Sequence, residues 1–524
     1  MSVKYNTALA DKSYDAILIG SGIGSLTTAA ILAKAGQRVL VLERHYEPGG
    51  FMQTFRRKGY EWDVGIHYVG MVHRPHSLER RLFDYISEGR LQWADMGSPY
   101  DRAIIDGDAY DFVPDPRAQL ELWQRTFPKD ARAIDRYWEL VRAVQPATAP
   151  YFAARTLPSL LGAPLTPLLQ RRFLHYARRT TFEVLSELTD NPRLIEVLCA
   201  QCGDYGLPPQ ESSFAMHALV VYHYRWGGAY PCGGGRAVHR SVIRTIEERG
   251  GIVARRAPVA QILIKQGKAA GVVLENGDII RAPRIISGAG LHTTYLRLLA
   301  PEQRILPVVE HLLRHARRSY AHVCLYVGLD ASDSALSLPK HNFWIYDRPA
   351  AAGQRVADAY ISFPSAKDPD WPHAHPDKAT IQVITGADYK DFAHWENEKW
   401  MRRGEEYAAL KQGWADSLLE YLYAHVPQAR GHVAYTEVST PVSTRHFANY
   451  DQGQIYGLEH TPERFQLHGL GPRTPITGLY LTGQDVATAG VAGAVIGGVL
   501  AASAIMKRSL LRLLRGNRAL AESQ

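Results

Sequence analysis

Apolar positions in the first fifty residues form two short blocks with a helix-spaced set between them. Tyr14 to Ile19 is a compact run suited to a strand buried on both faces. Leu26, Ala29, Ala30 and Ala33 then fall at helical spacing, and Gly36 closes the helix. RVLVLE is a second apolar strand that ends in Glu43. From Gly250 to Gly290 strand-like runs alternate with Gly and Asn-Gly turns. A last strand, GLYLTGQD, ends in Gly483 and Asp485, and no charged side chain follows from Val486 to Met506. That length matches the ~20 residues of a bilayer span. Gly490, Gly493, Gly497 and Gly498 favour another reading, a helix packed tightly on every side and therefore apolar on every side. The stretch from Ala393 to Val426 reads as a pair of amphipathic helices.

The spacing of the first turn carries chemistry. Gly20 permits a tight turn, and Gly22 lets a pyrophosphate approach the backbone at a helix N-terminus. Glu43, about twenty residues on, suits the two hydroxyls of an adenosine ribose and disfavours a 2′-phosphate. Ser25 stands where Gly or Ala is usual, and is small enough to keep helix and strand close. CGGGRAVHR follows no strand-like run, so a second dinucleotide site, for a stably bound nicotinamide, is not expected.

Composition narrows the class. A chain of 524 residues with 46% hydrophobic and 21% charged residues reads as globular, with room for about three domain-sized units. The net charge of +8 suits an anionic partner. No nucleic-acid-binding module accompanies it, so nucleic acid is not expected. From Val141 to Phe182 there is no acidic residue, while arginines (among them Arg171, Arg172, Arg178 and Arg179) mix with leucines and prolines that break the run. The tail from Lys507 and Arg508, with Arg512 and Arg515, has the same character. Basic amphipathic segments of this kind lie in a membrane interface, or form a solvated face on a packed helix. Four cysteines make no disulfide framework, and CAQC lacks the second pair a zinc site needs, so no metal is expected. No secretory signal is apparent in MSVKYNTALADKSYD, and a cytoplasmic, peripherally membrane-associated protein is expected.

The glycine pair Gly49 and Gly50, a few residues after the ribose acid, resembles the two-dinucleotide-binding-domain flavoproteins, in which FAD lies extended through the domain. GSGIGSL, YEWDVGIHYVG, YGLPPQESSFAMHALVVYHY, YPCGGG, SGAGLHTTY, FPSAKDPDW, IYGLEHTPERF and YLTGQDVATAGVAGA together resemble the retinol saturase-like branch of the carotenoid desaturase and isomerase superfamily. The resemblance runs from residue 14 to residue 506. It implies an α/β fold with a Rossmann-type FAD domain, discontinuous in sequence, and an inserted α+β substrate domain. The FAD domain is expected from residues 1–90, 231–304 and 456–506, the substrate domain from 91–230 and 305–455, with a basic tail at 507–524.

The resemblance further implies cofactor contacts at Gly20, Gly22, Ile23, Gly24, Ser25, Glu43, Arg44, Gly49, Gly50, Phe51, Met52, His67, Val259, Gly457, Gly483, Asp485, Gly490 and Val491. It implies a hydrophobic lipid substrate, an anionic membrane surface and an external electron donor or acceptor. Saturation, desaturation and cis–trans isomerisation of C=C bonds all occur on such a scaffold, as does prenyl carriage without a flavin; the likeness to the retinol saturase branch favours saturation by hydride from reduced flavin N5, with a desaturase or redox-neutral isomerase of a carotenoid or acyl lipid as the alternative. For saturation a proton is needed besides the hydride, and His67 and Tyr68 are the candidates to meet the flavin. His67 is equally read as a hydrogen-bonding residue, and His217, Tyr222 and His223 as core.

Overall fold

A computed structural model of the chain describes residues 2–157, 159–304, 306–347 and 356–510. The apolar blocks read from the sequence meet in one six-stranded sheet, with every pairing parallel. Its order is Val3–Lys4, Ile252–Arg255, Val39–Glu43, Ala16–Ile19, Ile285–Ser287, Leu479–Leu481. Ala16–Ile19 and Val39–Glu43 are buried at every residue, because helices cover the sheet as parallel sheets require. Three antiparallel strands, Val259–Lys265, Lys268–Leu274 and Ile279–Arg281, form a separate small sheet.

Helix Gly490–Met506 resolves the two readings of the uncharged run. It lies against helix Ile23–Lys34 and is buried without a break from Gly497 to Ile505. No helix among the described residues is long and apolar enough to cross a membrane. A β-carbon on Gly498 would stand 2.5 Å from the carbonyl oxygen of Gly24, and one on Gly497 would overlap the carbonyl of Gly483. Thr28 Oγ1 adds a hydrogen bond to the carbonyl of Gly498 at 3.1 Å. The glycines allow two backbones to touch.

A second, mixed sheet has seven strands, in the order Val433–Ser439, Ala321–Leu329, Ala379–Ala387, Asp358–Ser362, Asn342–Tyr346, Asp101–Ile105, Asp108–Phe112. Helices Ala131–Ala154, Ser159–Ala177 and Phe214–His223 pack together beside it. Three local expectations are corrected. The stretch from Ala393 forms one long helix, Gly404–His425, because Met401 and Gly404 both take positive φ and turn the chain before it. Four of the prolines between Val141 and Phe182 interrupt no helix: Pro146 and Pro150 lie inside one helix, Pro164 and Pro167 inside the next, and Pro158 lies outside the described residues. A strand, Gly228–Pro231, does precede CGGGRAVHR, but it pairs antiparallel in a three-stranded sheet outside the parallel one.

Gly498→Val should lower the urea midpoint by a stability loss on the order of 3 kcal/mol, because the contact it fills is backbone that cannot yield. An unchanged midpoint would mean that the two helices do not touch as described.

Candidate functional site

The turn after strand Ala16–Ile19 places Gly20 at φ +85°, and Gly22 caps helix Ile23–Lys34. A β-carbon on Gly22 would meet nothing within 4 Å, so the space over the helix N-terminus is open. At Gly24 it would stand 2.5 Å from the Cα of Gly483, so this position is closed by packing. Glu43 is buried at the end of its strand. Its carboxylate accepts from Ser21 N at 2.9 Å, Ser21 Oγ at 2.6 Å and His45 N at 2.7 Å. Gly49, at φ +121°, donates its N–H to Ser21 Oγ at 2.9 Å, which ties the second glycine pair to the first turn.

The last strand delivers Gly483 and Asp485 to the same place. Asp485 is buried; Oδ2 accepts from Leu291 N at 2.7 Å, while Oδ1 has no protein partner. Burial pushes this carboxyl above the usual carboxylate range. Gly457 takes φ +67° beside it, where a β-carbon would overlap Asp485 Oδ1. Arg464, buried, braces the loop by donating to the carbonyls of Gln484, Asp485 and Ala487 at 3.0, 3.2 and 3.2 Å.

These segments form one end of a cavity of about 790 Å³, toward the large end of the ~300–1,000 Å³ usual for ligand pockets. The other end is walled by Tyr320, His322, Trp344, Tyr346, Tyr360, Ile384 and Tyr456. Trp344 and Tyr360 are cross-strand partners with rings 4.4 Å apart. His67 enters the same space, its ring edge-on to Tyr360 at 5.2 Å and its Nδ1 without a partner. Burial, and then Lys367 and His322, hold its imidazole down at about 3, so it is neutral near pH 7. Its neighbour Tyr68 does not line the cavity. It stacks on Tyr224 at 4.3 Å, and its hydroxyl lies 2.8 Å from both Asp101 Oδ2 and Asp204 Oδ2.

A family model described as flavin containing amine oxidoreductase matches residues 26–506. An all-trans-retinol 13,14-reductase of Danio rerio is 34% identical over 95% of this chain and 86% of its own. Prolycopene isomerase 1, chloroplastic, of an Oncidium hybrid cultivar is 24% identical over 96% and 87%. The solved cyclohexylamine oxidase of Brevibacterium oxydans shares the fold at TM-score 0.62 and 18% identity, over 95% of this chain and 99% of its own. The chain belongs to the flavin-containing amine oxidoreductase family, in its retinol saturase-like branch. This family member is a FAD-dependent oxidoreductase.

Within this flavoprotein the residues singled out from sequence fall into three groups. Gly22, Ile23, Gly24, Ser25, Gly49, Phe51, Met52, His67, Gly483, Asp485, Gly490 and Val491 line the cavity. Gly20, Glu43, Gly50 and Gly457 stand directly behind that lining. Arg44 and Val259 lie outside it. Arg44 donates to the carbonyl of His446 at 2.8 Å, and Val259 opens the antiparallel sheet two residues after Ala257, whose N–H meets the Glu43 carbonyl at 2.8 Å. Sequence reasoning missed Asp101, Asp204, Lys367 and Arg464; the abundance of Tyr and Trp in the substrate domain suggests an aromatic-lined tunnel without naming its residues. The alternation Asn342, Trp344, Tyr346 on one strand face was the available signal.

Cys199 is buried and Cys202 lines the cavity, where burial pushes its thiol up to about 11, an inert group. Among the described residues no cluster suits a metal ion. His217 is core, set between Tyr137 Oη at 2.8 Å and Tyr205 Oη at 3.2 Å. Burial lowers it from 6.5 to about 3. The unfolded chain therefore binds the extra proton first, and stability is full above pH 6.5 and falls as pH drops toward 3. In urea titrations His217→Gln should remove up to about 1.4 kcal/mol per pH unit of that slope. An unaltered slope would place the proton uptake elsewhere.

Proposed function

We propose that this enzyme saturates a C=C bond of a hydrophobic polyene of the retinoid or carotenoid kind. The observation that carries the reading is the continuity of the cavity. One end is glycine-lined backbone at a helix N-terminus, and the other is a wall of Trp and Tyr. The lining atoms without a protein hydrogen-bond partner include Ser25 Oγ, His67 Nδ1 and Asp485 Oδ1, which fits a bound group rich in hydroxyls and ring nitrogens.

In this reading Gly22 and the N-terminus of helix Ile23–Lys34 hold the pyrophosphate of FAD, Glu43 its ribose, and Gly483, Asp485 and Gly490 the flavin end. Reduced FAD supplies a hydride when bound. The chain's own part is to lay an apolar substrate along Trp344, Tyr360 and Tyr456, to exclude water, and to supply a proton. Electrons come from an external donor. The likeness to a retinol reductase supports saturation, and that to a prolycopene isomerase supports a redox-neutral isomerase as the second reading. A flavin-free prenyl carrier fits poorly with an open Gly22 and an orphaned Asp485.

The deciding experiment incubates chemically reduced holoenzyme anaerobically with all-trans-retinol, then with a total lipid extract, and follows mass. A gain of two hydrogens with flavin oxidation supports saturation; a product of unchanged mass supports isomerisation. Unchanged lipids in both arms would overturn the reading. Gly22→Val should yield a folded protein without flavin absorbance, since the side chain enters open space that the pyrophosphate needs. Full flavin content in that variant would misplace the cofactor.

The substrate enters from a membrane surface in this proposal. Leu165, Leu168 and Phe182 are exposed beside exposed Arg171, Arg172 and Arg178. Phe182 N donates to the carbonyl of Pro209 at 2.8 Å, and Pro209 lines the cavity, so the patch adjoins its rim. Arg179 serves differently, paired with Glu187 at 2.5 Å. Lys507 and Arg508 are exposed just past the last helix; Arg512 and Arg515 lie outside the described residues. Each basic residue at an anionic surface contributes roughly 1 kcal/mol. Reversing Arg171, Arg172 and Arg178 to Glu should weaken cosedimentation with anionic liposomes at low salt and leave FAD content unchanged. Equal binding by parent and variant would sink the membrane proposal.

A further inference from the structure

Behind the aromatic wall lies a polar cluster to which the cofactor site gives no role. Asp101 is fully buried at the head of strand Asp101–Ile105. Its Oδ1 accepts from Asn342 Nδ2 at 2.8 Å, and its Oδ2 from Gln201 Nε2 at 2.7 Å and Trp344 Nε1 at 3.2 Å. Lys367, also buried, donates to Asn342 Oδ1, to Ser362 Oγ at 2.8 Å and to the His67 carbonyl at 3.1 Å. It thereby fixes the Asn342 amide with its N–H toward Asp101.

Tyr68 joins this cluster to the cavity. Its hydroxyl sits 2.8 Å from Asp101 Oδ2 and 2.8 Å from Asp204 Oδ2. A phenol carries one proton and cannot donate to two carboxylates at once. Two carboxyl groups sharing one site do not both ionise. Asp101, with three other donors, is the one that keeps its charge. Asp204 has only Tyr68 as a side-chain hydrogen-bond partner among the described residues, and it lines the cavity. The extra proton therefore belongs on Asp204, at the substrate.

We propose that Asp204 is the acid that protonates the substrate, with Tyr68 as its positioning residue; this rests on the saturation reading given above. As the hydride from reduced flavin bonds to one carbon, the π pair of the C=C takes the carboxyl proton of Asp204 at the neighbouring carbon. Two C–H bonds form, oxidised flavin and the Asp204 carboxylate remain, and Tyr68 turns its proton from Asp101 to the new anion. Water restores the proton after product leaves, and an external two-electron donor restores the flavin.

The surroundings agree. Burial first, and then Asp101, push the Asp204 carboxyl well above the usual range. Burial holds Asp101 itself at about 6. Other ionisable groups of the lining are less suited: burial keeps the imidazoles of His67 and His322 at about 3 and about 4 and the Cys202 thiol at about 11, while the carboxyls of Glu211 and Asp358 are exposed to water. Asp485 stands at the cofactor end, and Glu459 is paired with Arg317 at 2.7 Å.

The test compares holoenzyme of the parent, Asp204→Asn and Tyr68→Phe. Infrared difference spectra of parent against Asp204→Asn at pH 7 should show the carbonyl stretch of a neutral carboxylic acid, shifted in D₂O; this needs no turnover. In anaerobic single turnover with all-trans-retinol in D₂O, the parent should place one deuterium in the product. Asp204→Asn should keep its flavin content and slow flavin oxidation by on the order of 10²–10⁴-fold. Tyr68→Phe should move the pH midpoint of the rate, against a background of Asp101, Cys202, Tyr224, Tyr320, Tyr360 and Tyr456 around the acid. Equal rates for parent and Asp204→Asn, or no neutral-acid band, would overturn the proposal. A parent that yields no reduced product overturns the saturation reading instead, and is told apart because the parent itself then fails.

Discussion

Three distant segments of the chain meet at the cofactor end with no side chain between them. Gly24 touches Gly483, Gly497 closes on the Gly483 carbonyl, Gly498 on the Gly24 carbonyl, and Gly50 on Gly22. Backbone contact of this kind has two consequences. It brings the first turn, the second glycine pair and the last strand within reach of one extended ligand. It also forces the last helix to be buried from Gly497 to Ile505 and to line the cavity before that, which is why its sequence carries no charge. The apolar run that looks like a membrane span is thus a by-product of the geometry that makes a dinucleotide site.

A second constraint governs the far end. The buried ionisable groups at that end carry a desolvation cost, and they settle in their neutral forms unless donors compensate. His67, His322 and Cys202 follow that rule. Asp101 departs from it because Asn342, Gln201 and Trp344 are arranged around it, with Lys367 behind. The outcome is a site with few charges against the substrate. Such a surface suits an apolar chain and would repel an ammonium ligand less than it would fail to hold one.

What could be read in the sequence follows from this division. Glycine spacing, a strand-end acid and an uncharged helix are local signals, so Gly22, Glu43, Gly483 and the parallel sheet were legible. The aromatic wall was legible only in part: Asn342, Trp344 and Tyr346 alternate along one strand, whereas strand Ala321–Leu329, which supplies His322, is buried at all nine residues and shows no alternation to mark its cavity face. His67 and Tyr68 were read as a pair. Adjacent residues entering strand Val69–Gly70 point opposite ways, so one reaches the cavity and the other reaches Asp101 behind it. Asp204 follows the more conspicuous CAQC by two residues and carries no local signal of its own; its significance exists only once Tyr68 and Asp101 are brought beside it by the fold. The arginine stretch was legible as charge, but not the engagement of Arg179 by Glu187.

The same division explains how one scaffold serves amine oxidation and polyene chemistry. The fold persists at TM-score 0.62 in a solved protein only 18% identical, and in the reading proposed above the flavin end of this chain rests on backbone approach. The substrate end is specified by side chains projecting from a sheet, where each exchange alters chemistry without moving a strand. Under the proposed reading, reaction type is decided by the polar groups that reach through the aromatic wall. In this chain those groups are His67, held neutral, and Asp204, joined through Tyr68 to a buried anion. A neutral acid placed beside an apolar substrate favours adding a proton with the hydride. A site lacking it could pass hydride out and back but would have no local source for the second hydrogen.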